Sequence, residues 1–337
     1  VLAGKDYSAE YQLIRKYDSF SISDYIREQD LYWYPKIYDR KKVNFLDVFK
    51  DKIDTNQYPS DYWKSKIDSN LNIINPSDFR IEVLKIFGVQ PEKIIAVEHH
   101  SCHIAYAYFT SKYLYKEPVM GISIDGIGDG LNATINLIDE KGNINRVYQT
   151  GLANIGRIYR YVTLILGMKP NEHEYKMMGL APYAKDEYLE SVKKVFEDYL
   201  YVEDGEFKVK NKIPDSYFYY REKLKSYRFD NIAGGIQRYV EELLVSWIQQ
   251  NINIYGVKKI VLSGGVGMNI KAMGEVIKKT SLEDLYIPGN PSDETNCIGA
   301  AYFYNHKIGN VNKPIESLYL GSMPKNDPKV IEDARKK

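Results

Sequence analysis

The sequence predicts an α/β protein in which a mixed sheet is covered by crossover helices, and three observations predict it. Three β-rich runs at 119–124, 131–137 and 143–149, the last two joined by a Glu-Lys-Gly-Asn turn, read as a strand meander. Helical patterns follow at 155–166, 187–199 and 231–254, the last amphipathic with Ile232, Ile236, Val240, Leu243, Leu244 and Trp247 on one face. Then comes a strand, glycine turn, helix, strand and helix: Lys259–Ser263, a helix after the Gly264-Gly265 turn, a strand at 285–287 and an Ala-rich helix at 295–304.

The remaining elements follow from local signals. The first ~80 residues are Tyr-, Asp- and Lys-rich with short apolar islands such as Tyr32-Trp33-Tyr34, and predict a helical, loop-rich segment lying on a core. Ser77 is placed to cap a helix that runs to Phe87 and stops at Gly88. Residues 93–97 form a β-branched run, and 101–113 a helix that begins in a cluster of polar side chains.

At 337 residues and ~150 residues per domain, the chain has material for about two domains. The 46 Lys and Arg nearly cancel the 45 Asp and Glu, which disfavours nucleic acid as a partner and leaves any charged ligand to a local site. Two distant cysteines, Cys102 and Cys297, cannot frame a disulfide scaffold and point to a reducing, cytoplasmic setting. The apolar runs fall far short of the ~20 residues a membrane span needs.

Four stretches carry chemistry. Three of the five histidines cluster at His99, His100 and His103. His99 and His103 are four apart, so on a helix both rings face one side, as two metal ligands must, while His100 points elsewhere. The bland reading is a polar helix start whose imidazoles bond nearby carbonyls. The second stretch, Ser123 to Gly130, runs a buried strand into Gly126 and Gly128 interleaved with Asp125 and Asp129, which suits a phosphate or a metal and suits a tight Asp-Gly turn equally. The third, Ser263-Gly264-Gly265-Val266-Gly267-Met268-Asn269, opens a helix toward an anion but lacks the spacing of a dinucleotide or P-loop motif. Asp293, ahead of the last helix, reads as an N-cap at least as readily as a ligand. The fourth, Lys169 to Tyr183, offers Lys176 for a phosphate and Glu172 or Glu174 for a ribose or to orient that lysine, or else a helix packed through Met177, Met178 and Leu180.

These stretches, together with Asn154-Ile155-Gly156, Asp230-Asn231-Ile232-Ala233 and Gly299-Ala300-Ala301, occur in an order that resembles the O-carbamoyltransferases of the nodulation-protein and antibiotic-tailoring type. Their catalytic domain is similar to threonylcarbamoyl-tRNA transferases, and the resemblance covers residues 75–321, with Glu174-Tyr175-Lys176-Met177-Met178-Gly179-Leu180-Ala181-Pro182-Tyr183 as its most specific run. It implies an actin-like ATPase (ASKHA) fold without the first lobe's opening strands. Residues 1–117 would be the helical segment and remainder of the first lobe, 118–321 the second lobe, and 322–337 a tail toward a YrdC-like domain.

By the same resemblance His99, His103, Asp125 and Asp293 would hold one metal, iron or another divalent ion. Gly126, Gly128, Asn154, Gly156, Glu172, Lys176, Gly264, Gly265 and Asn269 would line the pocket for carbamoyl-adenylate, the ATP-derived donor, and a small-molecule hydroxyl would be the acceptor. Three departures stand out. The family's opening His-Asp loop has no match, so no general base is assignable. The YrdC-like, donor-making module is expected from a longer chain or a partner subunit. Asp293-Glu294-Thr295-Asn296 and Met273 replace the residues usual there. These departures motivate the alternative of a non-catalytic actin-like nucleotide-binding or interaction module; a homo-oligomer is compatible with either.

Overall fold

The computed structural model describes residues 1–4, 9–54, 68–71, 79–315 and 332. The expected cap at Ser77 and the tail 322–337 lie outside these apart from Glu332. The chain opens with β1 (Leu2–Ala3) and a run of short helices, α1 (Ala9–Leu13), α2 (Lys16–Ser19), α3 (Ile22–Glu28), α4 (Tyr34–Ile37) and α5 (Phe45–Val48). A capping box starts α3: Ser21 accepts from the Asp24 N–H, and the Asp24 carboxylate accepts from the Ser21 N–H. As expected, this segment lies on a core, and part of that core is borrowed. Phe20, Tyr25, Phe45 and Phe49 pack with Leu164, Tyr217 and Phe218 from later helices.

Next come α6 (Phe79–Ile86), β2 (Ala96–Val97) and α7 (His99–Phe109). The strand expected at 93–97 shrinks to two residues because Pro91 opens a 3-10 turn through Lys93. The helix expected from Ser101 begins at His99 instead, since the Glu98 side chain accepts from the His100 and Ser101 N–H groups. It ends at Thr110, whose hydroxyl bonds back to the Tyr106 carbonyl at 2.6 Å.

The meander is present as β3 (Val119–Gly128), β4 (Leu131–Ile138) and β5 (Ile144–Thr150), and the layer is completed by α8 (Ile155–Ile165), α9 (Glu174–Leu180) and α10 (Asp186–Glu197). A hairpin, β6 (Leu200–Glu203) and β7 (Glu206–Val209), and α11 (Tyr217–Leu224) occupy the stretch between the helices expected at 187–199 and 231–254, to which the sequence reading assigned no element. The signal was Asp204-Gly205, two turn residues with φ of 51° and 74° as a two-residue hairpin loop requires. Then follow α12 (Phe229–Tyr255), ended by Gly256 in the left-handed conformation, β8 (Lys259–Ser263), α13 (Ile270–Lys279), β9 (Asp284–Tyr286) and α14 (Asn296–Lys307).

The five-stranded sheet has the order β5-β4-β3-β8-β9, with β3, β8 and β9 parallel and β4 antiparallel to both neighbours. Its main core joins Ile122, Ile124 and Leu262 to Trp247 and Ile236 of α12 and to Ile158 and Val162 of α8. This is the mixed sheet covered by helices that the sequence predicts. No helix among the described residues is long and apolar enough to cross a membrane. Cys102 is buried, and burial pushes its thiol up to about 12, as for an inert core cysteine.

Candidate metal centre

Two register rows position the centre. Ser123 of β3 stands opposite both Thr134 of β4 and Ser263 of β8, so three hydroxyls cross three neighbouring strands in one line. Helix α7 lies over that line. His100 Nδ1 sits 2.8 Å from Ser123 Oγ, which lies 2.6 Å from Thr134 Oγ1, and His103 Nδ1 sits 3.1 Å from Ser263 Oγ. All of these side chains are fully buried.

The Ser263 hydroxyl donates to the Pro291 carbonyl at 3.0 Å, so it is an acceptor for His103 Nδ1–H. His103 is thereby held in the tautomer whose Nε2 lone pair faces outward, the form that ligates a metal. The Pro291 carbonyl also accepts from the Gly264 N–H at 2.7 Å, which ties the loop carrying Asp293 to the end of β8. Ser263→Ala is expected to weaken divalent-metal affinity by ~10–100-fold, the usual cost of losing an outer partner, with little change in fold; a metal titration of purified protein reads it.

His99, one turn back on α7, comes to the same point. Its Nε2 lies 3.1 Å from His103 Nε2, 3.3 Å from Asp125 Oδ2 and 3.4 Å from Asp293 Oδ1, and His103 Nε2 lies 3.2 Å from Asp293 Oδ1. One donor atom from each of the four residues falls within 4.8 Å of the others. With ligand bonds of ~2.0–2.2 Å, adjacent donors around a tetrahedral or octahedral ion stand ~3.0–3.5 Å apart. The measured separations match such edges. Two imidazoles and two carboxylates suit a divalent ion of the iron, manganese or zinc type. Asp293, 61% exposed at its side chain, opens the centre to one side.

The electrostatics are those of a cation site. Burial alone would raise the Asp125 carboxyl, but hydrogen bonding to His99, the His103 and His99 charges and the Gly265 N–H hold it well below the carboxylate range. His99 shows the converse: burial opposes its charge, and Asp125, Asp293 and Asp129 override it and push the imidazole up. His100, facing away, is pushed down to about 4, mainly by burial. The helix start is held independently by Asp129, which accepts from the His99 N–H at 2.7 Å, and by Glu98, which accepts from Arg146 at 2.6 Å. Against the pull of burial, that arginine and Ser101 draw Glu98 down to about 2.

The glycine turns serve this geometry directly. Gly265 N–H donates to Asp125 Oδ1 at 2.8 Å, and Gly264 adopts φ +109° with the position of a Cβ only 2.1 Å from the Ile124 carbonyl oxygen. At Gly128 a methyl group would meet the His99 ring at 2.2 Å, so that glycine is the seat of a histidine. A Cβ at Gly156 would lie 2.9 Å from Gly126 Cα, pressing the start of α8 onto the Asp125 turn, whereas one at Gly126 would meet open space.

The other expected pocket residues are spread around this turn and have partners of their own. Asn154 Nδ2 donates to the Tyr199 hydroxyl at 2.9 Å, and Asn269 caps α13 by accepting from the Ala272 N–H at 3.0 Å while bonding Gln237. Glu172 pairs with Lys169 at 2.5 Å rather than orienting Lys176, because three residues along one turn bring those two together. Lys176 is exposed and has no side-chain hydrogen bond or ion pair among the described residues. Sequence reasoning missed Gln237 and the supporting hydroxyls; the only signal for the latter was a polar Ser123, Thr134 and Ser263 in otherwise apolar strands.

Fold and constellation together define an α/β protein, a mixed sheet covered by helices, with a candidate His-His-Asp-Asp metal centre at the end of its central strands. The chain belongs to the carbamoyltransferase family: the family's N-terminal region, described as carbamoyltransferase N-terminus, matches residues 9–302. It is 29% identical over 273 residues to the uncharacterized protein MJ1051 of Methanocaldococcus jannaschii, covering 77% of this chain and 50% of that protein. It is 24% identical over 244 residues to nodulation protein NolNO of Sinorhizobium fredii, covering 69% and 35%. The chain thus spans half or less of the length of these relatives. Among solved structures, full-length HypF in its phosphate- and nucleotide-bound form superposes at a TM-score of 0.42 with 16% identity, covering 71% of this chain and 47% of that one.

Proposed function

We propose that this chain carries the carbamoyl-transfer site of such an enzyme, moving a carbamoyl group from carbamoyl-adenylate to an acceptor hydroxyl beside a divalent metal, with iron as the resident ion. The convergence of His99, His103, Asp125 and Asp293 at coordination-edge distances carries the reading. A bound divalent ion supplies Lewis acidity toward a carbonyl or phosphate oxygen. The chain's own residues do the rest. Asp125, fixed by the Gly265 N–H, and His103, fixed by Ser263, present their donors rigidly, while exposed Asp293 leaves the approach open. Gly126, Gly128, Asn154, Gly156, Glu172, Lys176, Gly264, Gly265 and Asn269 would border the adenylate around this turn, and Lys176, with no hydrogen bond or ion pair among the described residues, would meet its phosphate. A YrdC-like domain or subunit would supply the donor.

The test is incubation of the iron-loaded chain with carbamoyl-adenylate in the presence of a panel of sugar hydroxyl acceptors, water taking the carbamoyl group where none is accepted, with chromatographic assay of AMP. Release that rises well above the uncatalysed background and falls when a chelator removes the metal supports the reading. A chain that takes up the ion yet leaves carbamoyl-adenylate intact, or one that never takes up an ion, moves the assignment to a nucleotide-binding module.

A further inference from the structure

One charged group beside the candidate metal centre is not used by that reading. Arg160 lies four residues after Gly156, on the same face of α8 and ~6 Å further along, so the helix that leans on the Asp125 turn carries the guanidinium one turn away from it. Its Nε is sealed from water without a hydrogen-bond partner, and the guanidinium has no hydrogen bond or ion pair among the described residues. It faces the rings of Tyr25 and Tyr161, at 5.9 and 5.6 Å from their centroids.

The nearby carboxylates are occupied. Glu28 Oε1 takes Lys16 at 2.8 Å and Trp33 Nε1 at 3.0 Å, and Glu174 accepts from the Asn171 N–H at 2.7 Å. Glu28 Oε2, in the field of Arg160, is buried and also lacks a partner. Tyr17, in the electrostatic field of both Arg160 and Asp293, is 53% exposed.

An arginine whose Nε is sealed from water with no anion beside it is costly, and its planar fork fits a carboxylate or phosphate in two parallel hydrogen bonds. The orphaned Glu28 oxygen asks for a hydroxyl donor. We propose that Arg160 anchors a subsite for a ligand bearing an oxyanion next to hydroxyls, with Glu28 Oε2 receiving a hydroxyl. Such a ligand is either an acidic sugar-like acceptor or the ribose-phosphate of the donor. The proposal rests on the metal-centre reading only for where the chemistry occurs.

The test is calorimetric titration of the metal-free full chain with AMP and with glucuronate, comparing wild type, Arg160→Gln, Arg160→Lys and Lys208→Gln. Wild type is expected to bind at least one of the two. Arg160→Gln is expected to weaken binding by ~10-fold or more and Arg160→Lys by less, since a lysine keeps the charge and loses the fork, with thermal unfolding showing that both variants fold. Lys208→Gln, at an exposed side chain on β7, should bind as wild type does. Loss confined to AMP assigns the subsite to the donor, and loss confined to glucuronate assigns it to the acceptor. The proposal is overturned if neither compound binds at millimolar concentration, or if binding survives Arg160→Gln. It is also overturned if Lys208→Gln weakens binding as much as Arg160→Gln does, which would make the attachment one of surface charge alone. Metal content of Asp293→Asn tests the centre separately.

Discussion

A His103→Ala, Asp293→Ala double variant is expected to take up no divalent ion, against the roughly one per chain expected of the parent. One residue lies on α7 and the other just before α14, far apart in the chain, yet His103 Nε2 and Asp293 Oδ1 stand 3.2 Å apart. Removing both leaves only His99 and Asp125, 3.3 Å apart, as one edge of a coordination shell. Affinity should therefore fall by well over the ~100-fold that losing a mere outer partner costs. Elemental spectrometry after incubation with ferrous iron reads the result. Because His103 is fully buried, Asp293→Asn provides the control: at an exposed side chain it leaves the fold intact and should still lower metal content. A parent protein that stays metal-free after incubation would remove the basis of the catalytic reading.

The largest expected effect on stability lies at Gly264. Its φ of +109° is one that side chains rarely adopt, and a Cβ there would sit 2.1 Å from the Ile124 carbonyl oxygen and 2.6 Å from its carbon. Both obstacles are backbone at the centre of the sheet, so neither can swing aside. Gly264→Ala must either break the β3–β8 crossing or shift the turn that holds Asp125 through Gly265 and Asp293 through Pro291. The expected cost is about 3 kcal/mol or more, read as a lowered urea midpoint, with metal uptake lost in whatever fraction folds. Gly126→Ala is the matched control, since a methyl group there meets nothing within 4 Å. If Gly264→Ala unfolds at the same urea concentration as the parent, the crossing is looser than the structure shows.

Much of this architecture was legible beforehand because its signals are local. The strand β8 was legible to the residue because a β-branched run stops at Gly264-Gly265. The i, i+4 pairing of His99 and His103 needed only the knowledge that they share a helix. Where sequence reasoning failed, competing local signals were read wrongly or too coarsely. Pro91 shortened the strand after α6, Glu98 drew the start of α7 back to His99, and Asp204-Gly205 made a hairpin in a stretch to which no element was assigned. Glu172 was offered to Lys176 when Lys169 lay equally close in sequence.

What the sequence determined by itself was the set of elements and the pair of histidines, since helix period, strand period and turn chemistry act over a few residues. Whether Asp293 is a cap or a ligand could not be decided at that range. Only the parallel pairing of β3 with β8, and the fixing of the Pro291 carbonyl by Ser263 and Gly264, carry Asp293 to Asp125 and the histidines. The hydroxyl row of Thr134, Ser123 and Ser263 likewise exists only as a register between three strands. Register is set by long-range burial of the sheet's faces, and so the tertiary structure alone decides which donors meet and in which tautomer they are held.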